Sequence, residues 1–176
     1  MNGVLAWGGR ASDLKVHYTW CYTDVMPALL PLTVAIDTNV LFEGLTRRHS
    51  ASTLVIDAWL SGLLDVVISN GLAYEYFDVL TRKLSLDRWR QIEPVLSLLL
   101  SQARWTSIHF SWRPSSPDPA DEHVIDLALN GNAAVVTANV ADFRRAALDL
   151  GLMVLQPVDL VQLLSDRFEQ SQETEP

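Results

Sequence analysis

Cysteine is nearly absent from this chain of 176 residues, with Cys21 standing alone. A single thiol excludes an intrachain disulfide and argues against a structural zinc site or a paired-cysteine redox motif, which makes a reducing cytoplasm the expected location. Positive charge is scarce as well. Thirteen Lys and Arg against 21 Asp and Glu leave a net charge of -8. The chain therefore lacks the clustered Lys and Arg of a general nucleic-acid binder, and a nucleic-acid role would have to work through metal ions or a local basic rim. Long apolar runs are missing too: none approaches the roughly 20 residues that cross a bilayer, and the N-terminus lacks the basic-then-apolar order of a signal peptide. No membrane partner is expected. His17, His49, His109 and His123 are scattered without metal-ligand spacing, and there is neither a glycine-rich phosphate loop nor a nucleophile elbow. His123 is expected to face solvent, and the Trp and Tyr residues to serve in the core. What is present is 49% hydrophobic residues, enough at this length for one globular domain with a sizeable core.

Residues 1–25 combine Gly3, Gly8 and Gly9 with Trp7, Trp20 and Tyr22 and show neither a helical nor an alternating period. They are expected to form a poorly ordered arm, or to reflect a start assigned too early, since Met26-Pro27 directly precedes the first convincing strand. That strand, residues 33–36, ends abruptly at Asp37-Thr38-Asn39. The pattern then predicts a helix over 51–61 between Ser50 and Gly62, a strand over 64–68, and helices over 71–84 and 87–103, the second interrupted by Pro94. A strand-like stretch follows over 105–110, then a polar loop over 111–117. The remainder predicts a helix over 119–130, a strand over 133–137, a helix over 140–150, a strand over 152–155 and a helix over 158–164, with Gly131 and Gly151 as helix stops. Such alternation predicts an α/β fold, three layers α/β/α around a central, mostly parallel sheet, over residues 26–165. Residues 166–176 are expected to be a polar, acidic, solvated tail.

The acids carry the chemistry. Asp37 sits at a strand end, where the carboxyl ends of parallel strands open onto a ligand crevice. On the helix containing Leu72, Tyr76, Val79 and Leu80, a turn of about 100° per residue puts Glu75 beside the apolar face and Asp78 toward water. The helix beginning near Pro119 buries Val124, Ile125, Leu127 and Ala128, and Asp121 projects from that face, whereas Asp126 points away and is expected to be solvated. Glu122 lies at the edge. Asp118, Pro119 and Asp121 also fit a helix start, with Asp118 capping. The strand over 133–137 ends in Thr137-Ala138-Asn139 with Asp142 three residues on, so Asn139 is a candidate cap and Asp142 a first-turn acid. Asn39, Asn139 and Thr137 join the group as supporting polar residues.

Acids crowded together repel unless a cation lies between them. An oxygen-only donor set selects a hard divalent ion, Mg²⁺ or Mn²⁺, and such ions engage phosphate oxygens. Metal-assisted phosphodiester hydrolysis follows, without a side-chain nucleophile.

Four stretches carry a family resemblance. Val34-Ala35-Ile36-Asp37-Thr38-Asn39-Val40-Leu41 resembles the opening motif of the PIN-domain family of metal-dependent ribonucleases, and Glu75-Tyr76-Phe77-Asp78-Val79-Leu80 its second. Asp118-Pro119-Ala120-Asp121-Glu122 resembles the third motif and Val136-Thr137-Ala138-Asn139-Val140-Ala141-Asp142-Phe143 the fourth. The resemblance runs from about Val34 to Leu164. It implies a PIN-like nuclease domain cutting RNA, with Asp37, Glu75 and Asp121 as catalytic residues and core ligands of Mg²⁺ or Mn²⁺. Asn139 stands where many relatives carry Asp, which leaves Asp142 as the nearby fourth ligand candidate. Members similar to this chain are often toxins of bacterial toxin–antitoxin pairs, so a cognate antitoxin is the implied protein partner. Arg47-Arg48, Arg82-Lys83 and Arg144-Arg145 are candidate phosphate contacts and are equally compatible with solvated surface. A homodimer is compatible with the sequence, which leaves the oligomeric state open. The competing reading is a catalytically weak PIN-like module that acts by binding RNA or a protein.

Overall fold

The computed structural model describes residues 31–173, so the expectations for residues 1–25 lie outside the described part. Three short runs rich in Val, Ile and Ala form its centre: β1 (Leu32–Ile36), β2 (Leu64–Ile68) and β4 (Ala134–Val136). Apolar residues in unbroken sequence suit strands covered on both faces, and Val34, Ala35, Ile36, Val67, Ile68, Val135 and Val136 are fully buried. With β3 (Arg104–Trp105) and β5 (Val154–Leu155) they make one sheet in the order β3-β2-β1-β4-β5. Every neighbouring pair is parallel, with Val34 opposite both Val66 and Ala134.

From β1 the chain builds outward through β2 to β3, then returns to the other side of β1 for β4 and β5. The order thus reverses between β1 and β4, and the carboxyl ends at such a switch point are where open α/β sheets bind ligands. Helices α1 (Thr38–Thr46), α2 (Ala51–Leu60), α3 (Asn70–Lys83), α4 (Leu86–Gln102), α5 (Glu122–Gly131) and α6 (Val140–Leu150) make the connections, and α7 (Pro157–Glu173) follows β5. Helix α3 is held to the end of β1 by Tyr76, whose buried hydroxyl donates to the Ile36 carbonyl. Among the described residues no helix is long and apolar enough to cross a membrane.

Pro94 lies inside α4 without ending it. The lost hydrogen bond and ring clash cost about 3 kcal/mol. Ile92, Leu96 and Leu99 are buried on the same helix, each contributing roughly 1.5–3 kcal/mol, so packing wins. Gly62 and Gly151 adopt the left-handed conformation that ends a helix. Gly131 does not: α5 runs through it, and Asn132 takes the left-handed position. A Cβ at Gly131 would meet the Val67 side chain at 3.1 Å, so the glycine serves close helix–sheet approach.

Three expectations need correction. The strand expected over 105–110 is confined to Arg104–Trp105. Beyond it the backbone is captured by Asn130, whose amide bonds the His109 and Phe110 N–H groups and the Phe110 carbonyl. Helix α5 begins at Glu122, not at Pro119, because Asp118 instead closes a preceding turn through the Ala120 N–H at 2.9 Å. The last helix extends to Glu173, past the expected end at residue 164 and into the stretch expected to be a tail.

Candidate active site

Asp37 is buried at the end of β1. Its Oδ2 accepts hydrogen bonds from the Thr137 hydroxyl at 2.6 Å and from the Asn39 amide at 2.7 Å. Asn39 in turn accepts from the Ala138 N–H at 3.2 Å, and Thr137 Oγ1 accepts from the Asn139 N–H at 3.0 Å. The three residues expected to support the acids therefore tie the ends of β1 and β4 into one polar clasp. Burial pushes the Asp37 carboxyl above its ordinary range and Glu75 adds to the push, while the bonds from Thr137 and the neighbouring backbone N–H groups offset part of it.

Glu75, half-buried on α3, faces His123 of α5, with His123 Nε2 2.8 Å from Glu75 Oε2. The ring N–H is not aligned for a regular hydrogen bond, so the contact is an ion pair when the ring is protonated. Burial alone would raise Glu75, but His123 and the Thr38 hydroxyl outweigh it and hold the carboxyl below its ordinary value. Glu75 raises His123 above its ordinary value despite partial burial. The expectation that His123 faces solvent is thus wrong. Residue spacing could not reveal it, because the contact depends on how α3 and α5 pack.

Asp126 is also corrected: it is fully buried rather than solvated, and accepts from the Ser111 hydroxyl at 2.8 Å, the Trp112 N–H at 3.1 Å and Arg113 Nε at 3.1 Å. Glu122 is buried beside it, bound by the Ser115 N–H and hydroxyl at 2.7 and 2.6 Å and the Ser116 N–H at 3.1 Å. These two acids anchor residues 111–116 onto α5. Neither belongs to the crevice.

Capping separates the remaining acids from ordinary helix starts. Ser50, Ser69 and Ser85 cap α2, α3 and α4 through their hydroxyls. Asp37, Asp121 and Asn139 hold the equivalent positions of α1, α5 and α6, and none makes a side-chain cap bond. The capping expected of Asn139 is therefore not made; its amide donates to Asp142 instead. Asp121 Oδ2 is buried without a partner. Burial first, then Asp37, Asp118, Asp142 and Glu75, push the Asp121 carboxyl up to about 6.

A donor set of carboxylate oxygens under mutual repulsion suits a hard divalent cation. Asp121 Oδ2 is buried among these acids with no partner among the described residues. Buried polar groups are otherwise nearly always satisfied, so the residues fit an ion. Among the described residues, however, no three Asp, Glu, His or Cys side chains converge closely enough to hold one as they stand.

The basic pairs do not gather at this crevice. Arg47, Arg82 and Arg145 pair with Glu43, Asp78 and Asp149 of their own helices. Lys83 lies over the Phe42 ring. Arg82 and Lys83 follow Glu75 by about two turns of α3, roughly 11 Å along its axis. Arg144 and Arg145 follow Asp142 within one turn of α6.

A five-stranded parallel sheet with acids gathered at its switch point defines the class: an α/β protein with mutually repelling carboxylates where its strand order reverses. The chain belongs to the PIN-domain family, whose model matches residues 33–141. Two solved structures share the fold. VapBC2 from Rickettsia felis, bound to a DNA fragment from its promoter, is 15% identical with a TM-score of 0.54, covering 71% of this chain and 98% of that one. FitAcB from Neisseria gonorrhoeae is 18% identical with a TM-score of 0.51, covering 70% and 97%. At these identities the likeness concerns the fold alone. No curated protein matches the chain.

Proposed function

We propose that this PIN domain is a divalent-metal-dependent endoribonuclease hydrolysing RNA phosphodiester bonds, and that it is the toxin of a toxin–antitoxin pair. The observation that carries the nuclease reading is Asp121, a carboxylate with one oxygen buried and unpartnered among four further acids, Asp37, Asp118, Asp142 and Glu75. Asp37, Glu75 and Asp121 would hold Mg²⁺ or Mn²⁺, with Asp142 completing the set. When bound, such an ion supplies charge stabilisation of the scissile phosphate and activation of a water. The chain's own part is positional: Thr137 and Asn39 fix the Asp37 carboxylate, and His123 fixes that of Glu75. Bonds that orient a ligand in this way are typically worth 10–100-fold in metal affinity or activity. The toxin assignment, with an antitoxin as partner, rests on the family resemblance of the four motifs.

Purified protein is expected to cut single-stranded RNA with Mg²⁺ or Mn²⁺ and to stop when EDTA is added. The sign of the pH effect follows from Asp121. Below about pH 6 a proton competes for its carboxylate, so apparent Mn²⁺ affinity falls up to about tenfold per pH unit on the acid side and levels off above. Mn²⁺ titrations across that range check it, and an affinity independent of pH would remove Asp121 from the ligand set. A second reading, binding without cutting, is favoured by the acids' failure to converge without movement. RNA retention with no cleavage in either metal would select it.

Asp142 is a first-turn acid of α6. Asp142→Ala should cost about 0.3–1 kcal/mol through the helix dipole. As a ligand it should also lower cleavage by about tenfold or more, which melts and rates measured on one preparation separate. A stability loss with unchanged metal response would assign it to the helix start.

A further inference from the structure

A groove of about 410 Å³ opens beside the acids, walled by Asn70, Gly71, Trp105, Ser107, Ile108 and His123. His123 belongs to both places, lining the groove and touching Glu75. The volume suits one nucleoside-sized occupant. Trp105 is 54% exposed on the edge strand β3, against the expectation that tryptophans serve the core, which Trp59 meets. The Asn70 and Ser107 side chains make no hydrogen bond to the described residues, so an amide and a hydroxyl stand free. A Cβ at Gly71 would meet Ser69 Oγ at 3.8 Å and His123 Cδ2 at 3.9 Å, so the glycine lies in ordinary contact distance of the His123 ring. The lining contains no carboxylate, in a chain of net charge -8, and the α3 N-terminus adds a partial positive charge.

An aromatic plane with unpaired donors and acceptors, free of negative charge and abutting the acids, has the chemistry that takes an unpaired base. We propose that this groove seats the nucleoside flanking the scissile phosphate, with its base stacked on Trp105 and its edge or ribose hydroxyl met by Asn70 and Ser107. The inference rests on the nuclease reading and adds a reason for single-strand preference, since a base paired in a duplex cannot enter.

Two measurements test it on the full chain. In metal-free solution, adenosine 5′-monophosphate should shift the Trp105 indole N–H resonance, identified by its loss in Trp105→Ala, while ribose 5-phosphate should not. In cleavage of a single-stranded tetraribonucleotide, Trp105→Ala should lower kcat/KM by on the order of tenfold. Trp105→Phe, which keeps a ring, should restore most of it. Replacing the flanking nucleotide by an abasic one should cost wild type a similar factor and Trp105→Ala almost nothing further. Equal shifts with both phosphates, or additive losses from the variant and the abasic site, would overturn the groove assignment. Base-dependent shifts without cleavage in any divalent ion would sink the nuclease reading and leave the groove standing.

Discussion

Replacing Asp121 by Asn should lower RNA cleavage by on the order of 100-fold or more and, at neutral pH, raise the melting temperature of the metal-free protein. The first effect is the loss of a charged ligand for nearly constant volume, a term worth several kcal/mol in metal-assisted hydrolysis. The second follows from linkage. The Asp121 carboxyl is raised from 3.8 to about 6 in the folded chain, so its contribution to stability is fully present below the unfolded value and is lost as pH rises through about 6. In full, such a shift would be worth about 3 kcal/mol, but the side chain is partly exposed and solvent screening leaves about 1 kcal/mol. A neutral amide removes that penalty, raising Tm by roughly 2–4 °C at pH 7 and by almost nothing near pH 4. Calorimetric melts at both pH values check the sign. An equal gain at both would show that charge is not the cause, and wild-type cleavage by the variant would take Asp121 out of the site.

Gly44→Ala should be the most damaging small substitution in the scaffold. Gly44 is buried where α1 crosses α2, and a Cβ there would lie 2.5 Å from Ile56 Cγ1 and 2.6 Å from the Ser52 carbonyl oxygen. The side chain of Ile56 could yield, but the carbonyl belongs to the backbone of α2 and cannot turn aside. Overpacking costs typically 1–3 kcal/mol and more when backbone must move; the gain of Ala over Gly in a helix is only about 1 kcal/mol. The clash wins. It would also part Ser52 from Glu43, which are hydrogen-bonded at 3.0 Å. A net loss of about 2 kcal/mol should lower Tm by roughly 4–8 °C, with Ile56→Ala rescuing only part of it. A variant melting at or above wild type would contradict this packing account.

The periodic segments were legible in the sequence because local chemistry and tertiary packing agree there. Strand β2, helix α6 and the Ser50 cap stand where the residue pattern predicts them, and Asp37, Thr137 and Asn39 meet because parallel pairing of β1 with β4 brings their ends together. What escaped has a common cause. A helical wheel assigns one face to the core and the other to water, but α5 is covered on its second face by residues 111–116. Asp126 and Glu122 are therefore buried by a loop that carries no period of its own. His123 escapes residue spacing for a related reason, since its neighbour Glu75 lies 48 positions earlier on α3. The exposed Ile108 and Phe110 imitated a strand, while Asn130 held their backbone outside the sheet.

The bond from Thr137 to Asp37 joins residues 100 positions apart, and this has a consequence for how the protein is made. Strand β1, at the centre of the sheet, is synthesised first and flanked by β2 early, but its other edge stays bare until β4 has been translated. Closing so long a loop is among the slow events of folding, and a domain emerging from the ribosome cannot complete it before β4 and Thr137 have left the exit tunnel. On the proposed function, a growing chain would carry Asp37 and Glu75 unable to cut until β4 and α5 had joined them.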